Sequence, residues 1–354
     1  MYQPGLKGIT AVETELSFID GEKGILKYRG LPIETIVKGH SFEEAAFFLL
    51  HGDFPTEEER RTFETDLKKY RYIPGHTKQI INQLPYSLPM MDVLRTAVSS
   101  LVDTETNDDL AVRMIAVIPT IIAYRNRKNS GKNEIQPTDG LNHVENFLYM
   151  LNGTLDLTQS KLLETYMILT MEHGLNASTF ASRVTVSTQS DMVSAITSAL
   201  GTMKGPLHGG APSGVIELLN EIKSEDKICE IIHMKLKNKE RIMGFGHRVY
   251  KTADPRAETL KDIILRLDNL PDWMNLALKT ESETIDILKQ YKPNQNLYTN
   301  VEYYAAAIMK SLEIDSELFT AIFSSSRIVG WCAHAIEQAN NNTIFRPKAK
   351  YIGN

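Results

Sequence analysis

The chain has 354 residues, 42% hydrophobic and 23% charged, with a formal net charge of -5. That length allows two domains and a sizeable core, and the composition is that of an ordinary soluble globular protein. The acidic balance argues against nucleic acid as a partner, so any anionic ligand must be met by local cationic patches.

Between Ile9 and Tyr28, short β-prone runs flank the turn Asp20-Gly-Glu-Lys-Gly24, which predicts a small N-terminal β-hairpin. Nearly everything after it reads as helix. Ser41-Phe-Glu-Glu44 and Thr56-Glu-Glu-Glu59 fit capping boxes, and Gly52-Asp-Phe-Pro55 marks the break between them. Pro74-Gly75 and the Pro85 to Pro89 region punctuate the next helices, and Asp92 is placed to open one running through Val102. The most apolar run, Met114 to Tyr124, is too short to span a bilayer and contains Pro119, so it predicts a core helix and no membrane partner. Lys128 to Glu134 is polar and reads as an exposed loop. In Ser160 to Glu172, helical spacing joins Leu163, Tyr166, Met167 and Met171; Asp191 to Lys204 repeats it with Met192, Ile196, Leu200 and Met203. The last helix, Leu318 to Ala339, is largely apolar and carries Arg327 near its middle. These patterns predict a mainly α fold, without internal repeats or low-complexity tracts.

Three strings place histidine among glycines: Glu172-His173-Gly-Leu-Asn-Ala-Ser-Thr179, Gly205-Pro-Leu-His208-Gly-Gly210, and Gly244-Phe-Gly-His-Arg-Val-Tyr-Lys-Thr-Ala-Asp-Pro-Arg256. Gly244 and Gly246 lack a Cβ and let the main chain approach a ligand; His247 exchanges a proton near neutrality. Lys251 and Arg256 offer positive charge, Arg256 as a planar fork. Each string alone reads equally well as a structural turn. Their repetition points to one site. Arg327 has Phe323, Gly330, Trp331 and His334 around it on its helix, which is no solvated face. A guanidinium there needs a partner, and a structural salt bridge is the alternative to a ligand. Neither GxxxxGK[ST] nor GxGxxG occurs, against ATP and dinucleotides. No Cys-x-x-Cys or His-x-x-x-His pattern suggests a metal. Cys229 and Cys332 are far apart, and Met1 to Gly5 has no basic-then-apolar leader; a reduced, cytoplasmic setting is the simplest reading.

In order and spacing, these strings resemble the citrate synthase family, supported by Gly21-Glu-Lys-Gly-Ile-Leu-Lys-Tyr-Arg-Gly30 near the start and Arg346-Pro-Lys348 near the end. The resemblance implies a large helical domain, 1–208 and 318–354, interrupted by a smaller helical one, 209–317. It implies a reaction joining the methyl carbon of acetyl-CoA to the ketone of oxaloacetate, followed by hydrolysis of the citryl thioester. In those terms His208 stabilises the enol, His247 serves the ketone, and His173 seats oxaloacetate. Arg256 and Arg327 clamp its carboxylates. Gly244, Gly246 and Lys251 meet the CoA adenine and phosphate. Arg346 matches an arginine contributed across a homodimer interface. Acetyl-CoA is then a co-substrate, and neither a permanently bound cofactor nor a metal is expected.

One string departs from the family. Its catalytic aspartate lies in Tyr-Pro-Asn-Val-Asp, whereas this chain reads Tyr298-Thr-Asn-Val-Glu302. Glu302 keeps a carboxylate of similar intrinsic pKa but is longer by one methylene, and a displacement of about 1 Å can cost about a hundredfold in rate. Thr299 is expected to leave the turn less rigid than proline does. An active but slow citrate synthase is the favoured expectation. The rivals are a 2-methylcitrate synthase using propionyl-CoA, where one methylene is worth only ~1–3 kcal/mol, and a ligand-binding paralogue without turnover. A helical scaffold protein comes last, because the glycine-flanked histidines count against it.

Overall fold

The computed structural model describes residues 2–102, 106–209, 211–247, 249–267, 272–293, 295 and 297–353. The N-terminal hairpin pairs β1 (Ser17–Asp20) with β2 (Ile25–Tyr28), Ser17 opposite Tyr28 and Asp20 opposite Ile25. The sheet begins at Ser17 rather than near Ile9, and a third strand, β3 (Leu31–Pro32), extends it antiparallel to β2. Buried Tyr28 anchors this sheet: its hydroxyl lies 2.9 Å from the Glu172 carbonyl and accepts from the Glu172 amide at 3.2 Å.

Helices build the rest: α1 (Ile33–Gly39), α2 (Phe42–His51), α3 (Glu57–Tyr70), α4 (Gly75–Gln83), α5 (Met90–Ser99), α6 (Asn107–Asn129), α7 (His143–Asn152), α8 (Leu157–Thr170), α9 (Ala177–Ser187), α10 (Met192–Met203), α11 (Ala211–Ile222), α12 (Ile228–Lys237), α13 (Pro255–Ile264), α14 (Asp272–Tyr291), α15 (Val301–Ser311) and α16 (Phe319–Asn340). Both expected capping boxes form, at Ser41 with Glu44 and Thr56 with Glu59, and Asn142 with Glu145 makes a third. The helix expected to open at Asp92 starts two residues earlier. Pro89 occupies its N-cap, while Asp92 turns inward to pair with Lys204 at 2.6 Å and Arg95 at 3.0 Å. The core helix α6 runs unbroken through Pro119. Proline removes one intrahelical bond there, and apolar contact on every side offsets the loss, since Met114 to Ala123 is buried throughout.

α16 is the axis of one body of helices, packing on α2, α5, α6, α8, α9 and α10; α11 to α15 pack largely on one another. The two sets meet where α13 and α15 touch α8, and α11 touches α16. The ends of α8, α9 and α10 and the loop before α13 therefore face one another. No helix among the described residues is long and apolar enough to cross a membrane.

Candidate active site

His173 follows the end of α8, where the chain reverses through Gly174 (φ 60) before Asn176 caps α9 by accepting from the Thr179 amide. The preceding Glu172 is fully buried and acts as a hub. Its Oε1 accepts from the Ser17 hydroxyl at 2.9 Å, the Gly174 amide at 2.5 Å and His334 Nε2 at 3.1 Å. Burial alone would raise its pKa; His334, Arg327 and Ser17 together hold it below the ordinary range. His334 in turn accepts from Arg183 Nε at 2.9 Å, so its Nδ1 is the acceptor and its Nε2 the donor. His173 Nε2 lies 3.0 Å from the Tyr250 hydroxyl. Burial and the charges of Arg256, Arg327 and His247 keep its ring neutral.

The loop before α13 presents His247 edge-on to His173, ring centroids 5.6 Å apart. The amides of Val249 and Tyr250 both donate to His247 Nδ1, at 3.0 and 3.1 Å. With that lone pair taken, the neutral ring carries its proton on Nε2, the nitrogen 3.4 Å from Arg256 Nη2. Burial first, then Arg256 and Lys251, depress its pKa to about 4 against the opposing pull of Asp254. His247 is thus a neutral N–H donor at pH 7. Gly244 has φ 85, and a Cβ there would lie 2.8 Å from the Tyr303 ring, so the position needs glycine for packing as well as dihedral. On its outer side the loop is seated on the β1–β2 turn: Lys251 N donates to the Gly21 carbonyl at 2.8 Å, and a Cβ at Gly21 would strike the Val249 carbonyl.

Asp254 caps α13, with Pro255 at its first position. Its carboxylate accepts from Arg256 N and Nε at 3.0 Å each, Arg256 Nη2 at 2.8 Å and the Val301 amide at 3.2 Å. Arg256 is therefore a buried guanidinium in a forked ion pair, held rigidly to the helix start. Arg327 differs. Among the described residues no carboxylate comes within ion-pair distance of it. Its Nε donates to the Thr170 carbonyl at 2.7 Å, and its guanidinium lies 4.7 Å from the Phe323 ring centre. At 2% exposure the partners of this charge among the described residues are a helix-terminal carbonyl and an aromatic face, with no salt bridge among them.

His208 stands across from these groups. The Ser178 amide donates to its Nε2 at 3.3 Å, with the Ser178 hydroxyl at 2.8 Å, and Trp331 Nε1 steadies that hydroxyl at 3.0 Å. The neutral ring so held carries its proton on Nδ1. Burial and then Arg327 lower its pKa to about 4. Gly210, two residues after His208, lies outside the described residues. Glu302 sits in the first turn of α15, whose Asn300 cap accepts from the Glu302 amide at 3.1 Å. Burial pushes its carboxyl up to about 7, although Arg256 and Arg327 pull the other way and Asp254 adds to the rise. The preceding turn is not loose. Thr299 is buried, donates to Glu281 at 2.7 Å and pairs with Phe245.

His173, His208, His247, Arg256, Arg327 and Glu302 thus converge, linked by contact or by mutual electrostatic influence. Arg346 does not join them. It is exposed on the tail after α16 and lines a separate cavity of about 820 Å³ with Arg29, Arg183 and Glu337. A second cavity, of about 560 Å³, opens beside His247 and Gly246 and has Lys239, Arg241 and Lys292 on its wall. Neither Gly244 nor Lys251 lines it. Those three cations were not singled out in the sequence, because scattered surface lysines and arginines carry no local signal. Asp254 had one: an aspartate before proline is a helix-start signature.

A sequence profile described as "Citrate synthase, C-terminal domain" matches residues 5–348. The chain belongs to the citrate synthase family. It is 41% identical to a citrate synthase of Deinococcus radiodurans, over 99% of this chain and 95% of that one. A 2-methylcitrate synthase of Shewanella oneidensis is 36% identical over 99% and 94%. Its fold superposes with a TM-score of 0.92, at 32% identity and covering 100% of this chain and 97% of the other, on a citrate synthase of Thermoplasma acidophilum solved as a ternary complex with carboxymethyl coenzyme A and oxaloacetate. The chain is accordingly an enzyme of the acyltransferase class, citrate synthase type.

Proposed function

We propose that this citrate synthase condenses acetyl-CoA with oxaloacetate and hydrolyses the citryl thioester to citrate and CoA. The observation that carries the reading is the convergence of two neutral histidine donors and one high-pKa carboxylate around two buried guanidinia. Oxaloacetate is a dianion, and a pocket with Arg256 and Arg327 supplies the charge to take it out of water. Its ketone oxygen would accept from His247 Nε2, with His173 seating a carboxylate. Glu302 removes a methyl proton from acetyl-CoA while His208 Nδ1–H stabilises the developing enolate oxygen. The enol carbon then attacks the ketone carbon, and the ketone oxygen takes a proton from His247. Water cleaves the resulting thioester, releasing CoA. A carboxyl near pKa 7 suits proton abstraction better than an ordinary one. CoA phosphates would meet Lys239, Arg241 and Lys292 along the 560 Å³ cavity that Gly246 also lines, whereas Gly244 and Lys251 lie outside its wall.

We read 1–208 and 318–354 as the large domain and 209–317 as the small one, with the substrate between them. Arg346 is read as acting on a partner's site in a homodimer, which fits its distance from the cluster of its own chain. Free Cys229 and Cys332 fit a reducing, cytoplasmic setting. The deciding experiment is thiol release from acetyl-CoA and from propionyl-CoA, each with and without oxaloacetate. Oxaloacetate-dependent release from acetyl-CoA is the expected result; faster release from propionyl-CoA would move the reading to 2-methylcitrate synthase, and no release from either would leave a binding protein. Co-expressing an Arg346→Ala chain with a His208→Ala chain is expected to restore some activity, since each hybrid dimer then holds one intact site.

A further inference from the structure

Behind the turn that carries Glu302 lies a second carboxylate that the reaction does not use. Glu281, on α14, is 1% exposed. Its Oε1 accepts from the Thr299 hydroxyl at 2.7 Å. Its Oε2 accepts from the Tyr304 hydroxyl at 2.6 Å and pairs with Lys261 Nζ at 2.6 Å. One buried anion therefore ties together α13, α14, the 298–300 turn and α15. A carboxylate removed from water persists only with such donors, and losing one leaves an oxygen unsatisfied.

Thr299 gives this hub its reach. The backbone on either side of it is stitched to the histidine loop: Gly246 N donates to the Tyr298 carbonyl at 2.7 Å, and Asn300 N to the Gly244 carbonyl at 2.9 Å. The Asn300 amide group donates to the Gly246 carbonyl at 3.0 Å, and its oxygen caps Glu302. Glu281 thus holds, through one side-chain bond, the strand pair with Gly246 and His247 at one end and Glu302 at the other. Tyr304, two residues beyond Glu302 on the same helix, fixes α15 from the second oxygen.

We infer that Glu281 is a positioning residue for the reaction, acting through Thr299 to set the separation of Glu302 from His247. The inference rests on the functional reading above for its effect on turnover, but the mechanical claim does not. Thr299→Val keeps the β-branched shape and removes only the donor; Thr299→Ser restores it. Glu281→Gln keeps the shape and removes the charge. Two readouts separate the ideas. In hydrogen exchange, Thr299→Val is expected to speed exchange of the Gly246 and Asn300 amides at least about fivefold, and Thr299→Ser to leave them as in the parent. Turnover in Thr299→Val is expected to fall about tenfold in kcat, for a misplacement well under 1 Å, with a smaller change in the KM for oxaloacetate, because Arg256 keeps its fork to Asp254 and Arg327 lies on α16. Glu281→Gln combined with Thr299→Val is expected to cost no more than the worse single variant. Unchanged exchange at both amides in Thr299→Val overturns the inference whatever the activity. Changed exchange with an undiminished kcat overturns the positioning role. A parent protein without turnover would sink the functional reading alone, and the exchange data would still decide the hub.

Discussion

Arg256 and Arg327 are two buried guanidinia near enough to act on each other's charge, and they are held in opposite ways. Arg256 belongs to a loop and helix start built around it: Asp254 takes its fork and also caps the helix. Arg327 projects from the middle of a long apolar helix, with the Thr170 carbonyl and the Phe323 ring but no carboxylate partner among the described residues. Neutralised charge gives geometry; charge left without a counter-ion gives attraction. The Asp254–Arg256 pair fixes the guanidinium beside His247 Nε2. Arg327 lowers the pKa of His173 and His208 and pulls against the rise at Glu302. In the proposed reading it is the group expected to gain most from an arriving dianion, because no carboxylate among the described residues pairs with it and burying such a cation is costly.

The largest expected effect removes the group both arginines act on. Glu302→Gln is expected to lower kcat about a thousandfold while oxaloacetate binding, read by calorimetry, stays within about twofold. Glu302→Asp sharpens this. A faster enzyme means the backbone suits the shorter side chain, and a slower one means it has moved to suit glutamate.

Breaking the arginine comparison comes next, through stability of opposite sign. Asp254→Asn strands Arg256 and is expected to cost about 3–5 kcal/mol in denaturant unfolding, with loss of activity. Arg327→Met removes the charge that lacks a carboxylate and is expected to stabilise the protein on the order of 1 kcal/mol. The same variant is expected to raise the KM for oxaloacetate about a hundredfold. A destabilised Arg327→Met protein would mean that its bonds to Thr170 and Phe323 outweigh the burial cost.

A smaller effect concerns pH. His208 and His247 have pKa values depressed to about 4 and stay neutral from pH 5 upward. Glu302 is raised to about 7 and must be ionised to act, so kcat/KM is expected to fall about tenfold per unit as pH drops below 7. An acid limb near pH 4 to 5 would assign it to another group.

The smallest effect is on the second substrate. If oxaloacetate bridges Arg327 on one set of helices and Arg256 and His247 on the other, as proposed, it is expected to stabilise a closed arrangement. Acyl-CoA affinity is then expected to rise several-fold with oxaloacetate present, by calorimetry. Equal affinities would remove the coupling.

Much of this was legible in the residues alone. Capping boxes, proline punctuation and helical spacing are local signals, so α2, α3, α8 and α10 lie close to where the sequence predicts them. Histidine among glycines drew attention to His173, His208 and His247 because those strings were matched as whole motifs. Asp92 shows where local signals end: its position predicts a helix start, but its buried carboxylate instead pairs with Lys204, just past the end of α10, and with Arg95. Arg327 was conspicuous for being charged on an apolar helix, but whether a carboxylate waits beside it depends on helices far away in the chain. The same holds for the Nδ1 proton of His208, set by Ser178 from another helix, whereas the Nε2 proton of His247 is set locally by two amides of its own loop. Thr299 read as a weakening of the turn and proved to be its tether to Glu281. Sequence determines which chemical groups exist and which backbone carries them. Partnership, burial and the protonation that follows are long-range properties, decided only when α8, α13, α14, α15 and α16 meet.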